Sequence, residues 1–245
     1  MTDTVKLYAG NTEMVIGVSM GPRILSLRRN GGENLLYEDH TGFKVGEWKM
    51  YGGHRFTVAP ETAASYYPDN SACEVSATGT GLLIRAPQRH DGIRLSMEIT
   101  ASPAEGFNIR HILENNGSSA WHGALWAITC VPRTANLLAR CSFSKVDYWP
   151  GTAPENWKLA ADLMVPLPGQ HRGKTGWHED AGWLAAIQPS GTLIICNNDH
   201  GTEKVNNNLE IFVCKDYAEL ETLGPQQTIA PGCSAGHLQQ WHIFK

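Results

Sequence analysis

Along residues 93–100, Ile93, Leu95, Met97 and Ile99 alternate with Arg94, Ser96, Glu98 and Thr100, so one face of the segment is apolar and the other polar. Alternation with period two marks a half-buried β-strand, because successive side chains leave opposite faces of the backbone. Strand-like runs recur at 13–19, 23–29, 81–86, 107–114, 120–131, 139–146, 183–187, 192–197, 209–214, 218–223 and 236–244. Turn-forming clusters separate them: NGG at 30–32, TGTG at 78–81, HDG at 90–92, ENNG at 114–117, PSG at 189–191 and PGCS at 231–234. No long stretch has helical periodicity, and no internal repeat is visible. Short strands joined this closely must pack sheet on sheet, which predicts an all-β sandwich of antiparallel strands. At 245 residues, with 42% hydrophobic and 18% charged residues, the chain has the material for a sizeable core. A single domain over residues 1–245 is expected.

The net charge of −4 and the lack of any run of Lys and Arg argue against a nucleic-acid partner. The start, MTDTVKLYAG, lacks a basic segment followed by an apolar stretch, and the longest apolar-leaning run, 124–131, is too short to cross a bilayer. No membrane association and a cytoplasmic location are therefore expected. The six cysteines, Cys73, Cys130, Cys141, Cys196, Cys214 and Cys233, are scattered without a CxxC pair. That pattern reads as free thiols, not as a disulfide framework or a zinc site.

Two stretches break the strand pattern: 40–72, rich in Gly, Tyr, Pro and charge, and 147–180, rich in Trp, Pro, Gly and His. Long ordered loops on a β scaffold are where binding sites are usually built. Within YGGHRFTVAPE, Tyr51 to Glu61, the residues His54, Arg55 and Glu61 stand beside two glycines that would let backbone approach a ligand. Arg55 can bond hydroxyls or a carboxylate, or simply pair with Glu61. Between Asp216 and Gly232, Tyr217, Glu219 and Glu221 share one strand face and Ala218 and Leu220 the other. Those carboxylates are either solvated or line a sheet surface where one can act as a base. Of eight tryptophans, Trp48, Trp149, Trp157 and Trp177 stand in the expected loops, where an indole could stack on the C–H face of a sugar. Trp183 and Trp241 read as core, and Trp126 fits either role. GKTGWHED, 173–180, contributes Lys174 as a site candidate; its His178, Glu179 and Asp180 are spaced too loosely for a metal site.

Taken together, GPRILSLRRNGGENLLY, GGHRFTVAPE, ENNGSSAWHGALWAIT, DYWPGT, GKTG and ELETLGPQQTIAPG resemble a branch of the galactose-mutarotase-like (aldose 1-epimerase-like) superfamily over nearly the whole chain. The resemblance implies a β-supersandwich that holds a sugar in a concave sheet face, with a Glu base near the C-terminus, a His acid and no cofactor. By position the base falls on Glu221, with Glu219 as the other choice. The usual acid is replaced: in GALWAIT, Trp126 stands where relatives carry His. His54 or Lys174 would then supply the proton, while Arg55, Glu61, Trp126, Trp149 and Glu219 hold the sugar. The alternatives are a non-catalytic sugar-binding module or sensor, or a lyase or epimerase acting on an unusual sugar. The sequence names neither the sugar nor the oligomeric state.

Overall fold

The computed structural model describes residues 3–102, 106–142, 145–197 and 206–245. Among the described residues strands take 58% and helix 3%, the latter as two short 3-10 turns at Ala63–Tyr66 and Pro154–Asn156. Among the described residues all strand pairs are antiparallel, in keeping with the alternation and the close turns. The turn signals deliver tight hairpins: Thr78 pairs with Gly81, and Gln188 with Gly191, each across a two-residue loop. Residues 143 and 144, inside the run expected at 139–146, lie outside the described residues.

Two ten-stranded sheets form the body. From its third strand to its far edge, the first runs in spatial order Arg23–Arg29, His54–Ala59, Trp121–Pro132, Tyr217–Leu223, Leu209–Val213, Gly173–Trp177 and Val146–Tyr148. The second is centred on Gly182–Gln188, Gly191–Asn197, Ser234–Phe244, Gly106–Asn115 and Ile93–Ser102. One continuous core fills the space between them, including Ile24, Leu125, Leu220, Ile99, Leu193 and Trp241. Burying these side chains is the main drive for sheet-on-sheet packing. A second, smaller cluster of Trp48, Met50, Trp126, Ile128, Cys130 and Leu223 lies on the outer face of the first sheet. That second cluster marks the face on which the site is built.

The stretch 147–180, read above as a loop, instead contains the strands Trp157–Ala160, Leu163–Pro166 and Gly173–Trp177. Trp157 and Trp177 therefore belong to the inter-sheet core, whereas Trp183 is only partly buried. All six cysteines are free, and only Cys130 and Cys141 are buried. Among the described residues no helix is long and apolar enough to cross a membrane.

Candidate functional site

Strand Tyr217–Leu223 organises the site, because its two faces do different work. Ala218 and Leu220 point into the main core, so Tyr217, Glu219 and Glu221 must point outward. Its neighbours are held in fixed register: Ile128 and Glu210 flank Glu221, and Cys130 and Phe212 flank Glu219. The rung extends from Ile128 to Arg55 and Arg23 on one side, and from Glu210 to Gly176 on the other. Two arginines and two glutamates from four strands are thereby set across one sheet face.

Glu221 is fully buried. Its Oε2 accepts hydrogen bonds from Trp126 Nε1 and Lys174 Nζ, both at 2.7 Å, and Lys174 Nζ lies 2.7 Å from Glu210 Oε2 as well. The ammonium also sits 4.6 Å and 5.2 Å from the Trp126 and Trp149 ring centroids. Gly176 makes room for this packing: a Cβ there would lie 3.1 Å from the Trp149 ring and 3.0 Å from the Glu210 side chain. Burial alone would lower the Lys174 pKa, but the Glu221 and Glu210 carboxylates outweigh it and hold the ammonium above its ordinary value. Burial, followed by repulsion from Glu221, pushes the Glu210 carboxyl well up despite the neighbouring ammonium. Burial and the Glu221 charge likewise raise Glu219 to about 7, against the lowering pull of Arg55 and Lys174.

Above this layer opens a cleft of about 300 Å³. Lys174, Glu219, Tyr217, Trp126, Ile128 and Phe212 line it from the sheet, and Trp48, Tyr66 and Trp149 from the segments that cover it. The Arg55 guanidinium is packed 4.6 Å from the Trp48 centroid and 5.6 Å from that of Tyr66, and it donates to the Ser65 carbonyl at 3.2 Å. Glu61 stands at the rim and accepts a hydrogen bond from Tyr66. An aromatic-walled cavity with a few convergent charges is the usual composition of a small-ligand site.

The expected site residues divide in two. Arg55, Glu61, Trp126, Trp149, Lys174 and Glu219 line the cleft together, and Glu221 lies beneath it, covered by Lys174 and Trp126. His54 does not reach the cleft, so the expectation that it serves there is corrected. It shares the inward face of its strand with Phe56 and Val58, is fully buried, and bonds Thr129 and His111 between the sheets. The Gly52-Gly53 pair also has a different use from the one expected. Both residues have positive φ, and a Cβ would meet the carbonyl oxygens of Tyr37 and Ile24 at 2.2 and 2.0 Å, so they admit backbone rather than ligand. Glu210, Phe212 and Tyr66 were missed. The alternation in 209–213 does place Glu210 and Phe212 opposite Leu209, Ile211 and Val213, which was the available signal.

An antiparallel β-supersandwich with an ionic, aromatic-walled cleft on the outer face of one sheet thus defines the class of structure. No family model and no curated protein matches the sequence. Solved structures do match. One is a candidate aldose 1-epimerase from Escherichia coli K12, at 14% identity and TM-score 0.70 over 99% of both chains. A galactose mutarotase related enzyme from Lactobacillus acidophilus matches at 8% identity and TM-score 0.71, over 99% of this chain and 98% of that one. A galactose mutarotase-like protein from Lactobacillus casei matches at 11% and 0.64, over 98% of this chain and all of that one. The chain has the galactose mutarotase-like fold.

Proposed function

We propose that the cleft binds an aldose and exchanges its anomers, with Glu219 rather than Glu221 as the base. The observation that carries this reading is that Glu219 opens on the cleft with its carboxyl raised to about 7, whereas Glu221 is sealed beneath Lys174 and Trp126. A base serves best when its pKa lies near the working pH. Glu219 takes the proton from the anomeric hydroxyl, the C1–O5 bond breaks as C1=O forms, and Lys174 gives a proton to O5. After the carbonyl turns, O5 re-adds to its other face, O1 regains a proton from Glu219 and O5–H returns one to Lys174. Trp126 and Trp149 supply apolar faces for the ring, while Arg55 and Glu61 bond its hydroxyls. No step draws on a cofactor.

A second reading, a sugar-binding module without turnover, is favoured by one observation. Lys174 is held above its ordinary pKa by two carboxylates, which makes it a good fixed cation and a reluctant acid. The two readings separate when anomer exchange of glucose and galactose is followed by NMR beside calorimetric binding. Exchange faster than in buffer supports the first, binding without acceleration selects the second, and neither binding nor exchange overturns both.

A further inference from the structure

A second, larger cavity of about 570 Å³ adjoins the cleft, and Trp48, Arg55 and Tyr66 line both. We propose that it is a subsite for a second sugar ring, so that the substrate is a reducing disaccharide or longer oligosaccharide and not a free monosaccharide. This inference rests on the sugar-binding reading of the cleft and extends it.

The wall of the second cavity is polar in a way that core packing does not explain. Arg89 is 8% exposed and pairs through Nη2 with Asp91 at 3.1 Å, yet its buried Nε has no partner. Asp69 is engaged by Arg23 through Oδ2 at 2.9 Å, while its buried Oδ1 is unpartnered. Neither of these two atoms is accessible from the cavity, and the hydrogen bonding that a ligand meets there comes from other polar groups of the wall, Ser71, Gln88 and His90 among them. Arg89 and Asp69 are each neutralised by an ion pair, and Arg55, on the wall shared with the cleft, donates to the Ser65 carbonyl, an arrangement that a hydroxyl-bearing ring can join without an added charge. Tyr67 adds an aromatic ring to this wall, backed by the Arg89 guanidinium 4.2 Å from its centroid.

The walls are set in place before any ligand arrives. The 3-10 turn that carries Tyr66 is closed by a capping box between Thr62 and Ser65. Arg89 is fixed by its N–H to the Ile93 carbonyl at 2.8 Å and by Gly92 N–H to its own carbonyl at 3.0 Å. A preformed subsite gains affinity because little ordering remains to be done on binding.

The direction of the chain follows from the chemistry. The carboxyl raised toward neutrality, Glu219, lies in the smaller cleft, whereas of the two acids on the larger cavity Asp69 is tied to Arg23 and Glu47 is exposed to solvent. The ring bearing the free anomeric hydroxyl therefore occupies the smaller cleft, and its neighbour crosses the Trp48–Arg55–Tyr66 wall. At about 300 Å³ the smaller cleft is at the low end for a ligand site, and the two together fall well within the usual range.

The test is calorimetric binding of glucose and galactose against maltose, cellobiose, lactose and melibiose. At least one disaccharide should bind about tenfold or more tightly than its reducing-end monosaccharide, the gain expected of one added aromatic stack with hydrogen bonds. Arg89→Ala should erase that advantage and leave monosaccharide affinity unchanged. Because Arg89 is buried, Ser71→Trp provides a second variant that fills the cavity from its exposed rim, with the same expected result. Equal affinity for both sizes, or an equal loss of both in Ser71→Trp, overturns the subsite while leaving the sugar cleft standing. Binding of disaccharides without any anomer exchange keeps the subsite and overturns turnover instead. No binding of either size overturns both.

Discussion

The same strands build two polar clusters on opposite faces of one sheet, and the clusters obey different rules. On the inner face lies a chain of neutral groups. His111 donates through Nδ1 to the His237 carbonyl at 3.0 Å, which leaves its Nε2 to accept from His54 Nε2 at 2.8 Å and lets His54 Nδ1 accept from the Thr129 hydroxyl at 2.9 Å. Every ring nitrogen of His54 and His111 is used, and neither needs a charge. On the outer face, one residue away along each strand, stand Arg55, Ile128 and Glu221 in place of His54, Thr129 and Thr222. There Lys174, Glu210 and Glu221 form a largely buried ion cluster at the floor of the cleft. Burying charge costs more than burying satisfied neutral groups, so the inner chain is read as structure and the outer cluster as a site.

The largest effect separating the two clusters concerns Glu219. Glu219→Gln keeps size and hydrogen bonding but removes the basic oxygen, and anomer exchange should fall by about 10²–10⁴ while sugar still binds. A base works ionised, so with its carboxyl raised to about 7 the wild-type exchange rate should rise with pH through about 7 and then level off. Should Glu221→Gln be the inactive variant and Glu219→Gln behave as wild type, the assignment of the base is reversed.

Next in size is Lys174→Met, which leaves Glu210 and Glu221 together without their cation. Breaking a buried ion pair by removing one partner costs about 3–5 kcal/mol. Protonation of the orphaned carboxylates relieves part of that cost, so the loss should be larger at pH 8 than at pH 6. Urea denaturation at the two pH values measures it. A loss below about 1 kcal/mol at both would show that the cluster behaves like an exposed surface pair.

The fold was legible because alternation and turn chemistry are local. The runs at 93–100, 192–197 and 236–244 carry their own inward and outward faces, and the tight hairpins carry their own turn residues. The clusters were less legible, for a physical reason: where both faces of a strand are polar, alternation no longer tells inside from outside. His54 and Arg55 look equivalent in GGHRF. Only parity with Phe56 and Val58 two and four residues on puts His54 inward. The choice between Glu219 and Glu221 was harder still. Both point outward, and their depth is set by Trp126 and Lys174, which lie 95 and 47 positions from Glu221. The strands at 157–177 were hidden because they are short and mix Trp, Pro and charge, so neither period stands out.

The smallest of these effects probes the inner chain through His54→Leu. At pH 7 the variant leaves the Thr129 hydroxyl and His111 Nε2 without partners between the sheets, at a cost of about 1–3 kcal/mol. Anomer exchange and sugar affinity should not change, because His54 faces away from the cleft. The pH dependence then gives a sharper result. Burial, with the neighbouring His237 and Arg23 charges, lowers the His54 pKa from 6.5 to about 3. Between those values the unfolded chain takes up a proton that the folded one refuses, so wild-type stability is lost as pH falls below about 6.5. The variant lacks this uptake, and carboxylates common to both proteins cancel in the difference. The stability gap between wild type and His54→Leu should therefore shrink by up to about 1.4 kcal/mol per pH unit below 6.5, enough to bring a gap of about 2 kcal/mol to zero near pH 5. Urea midpoints at half-unit intervals from pH 7 to 5 measure the gap. A gap that stays constant would mean that His54 is charged or solvated in the folded protein, and the contrast between a neutral inner chain and an ionic outer cluster would be lost.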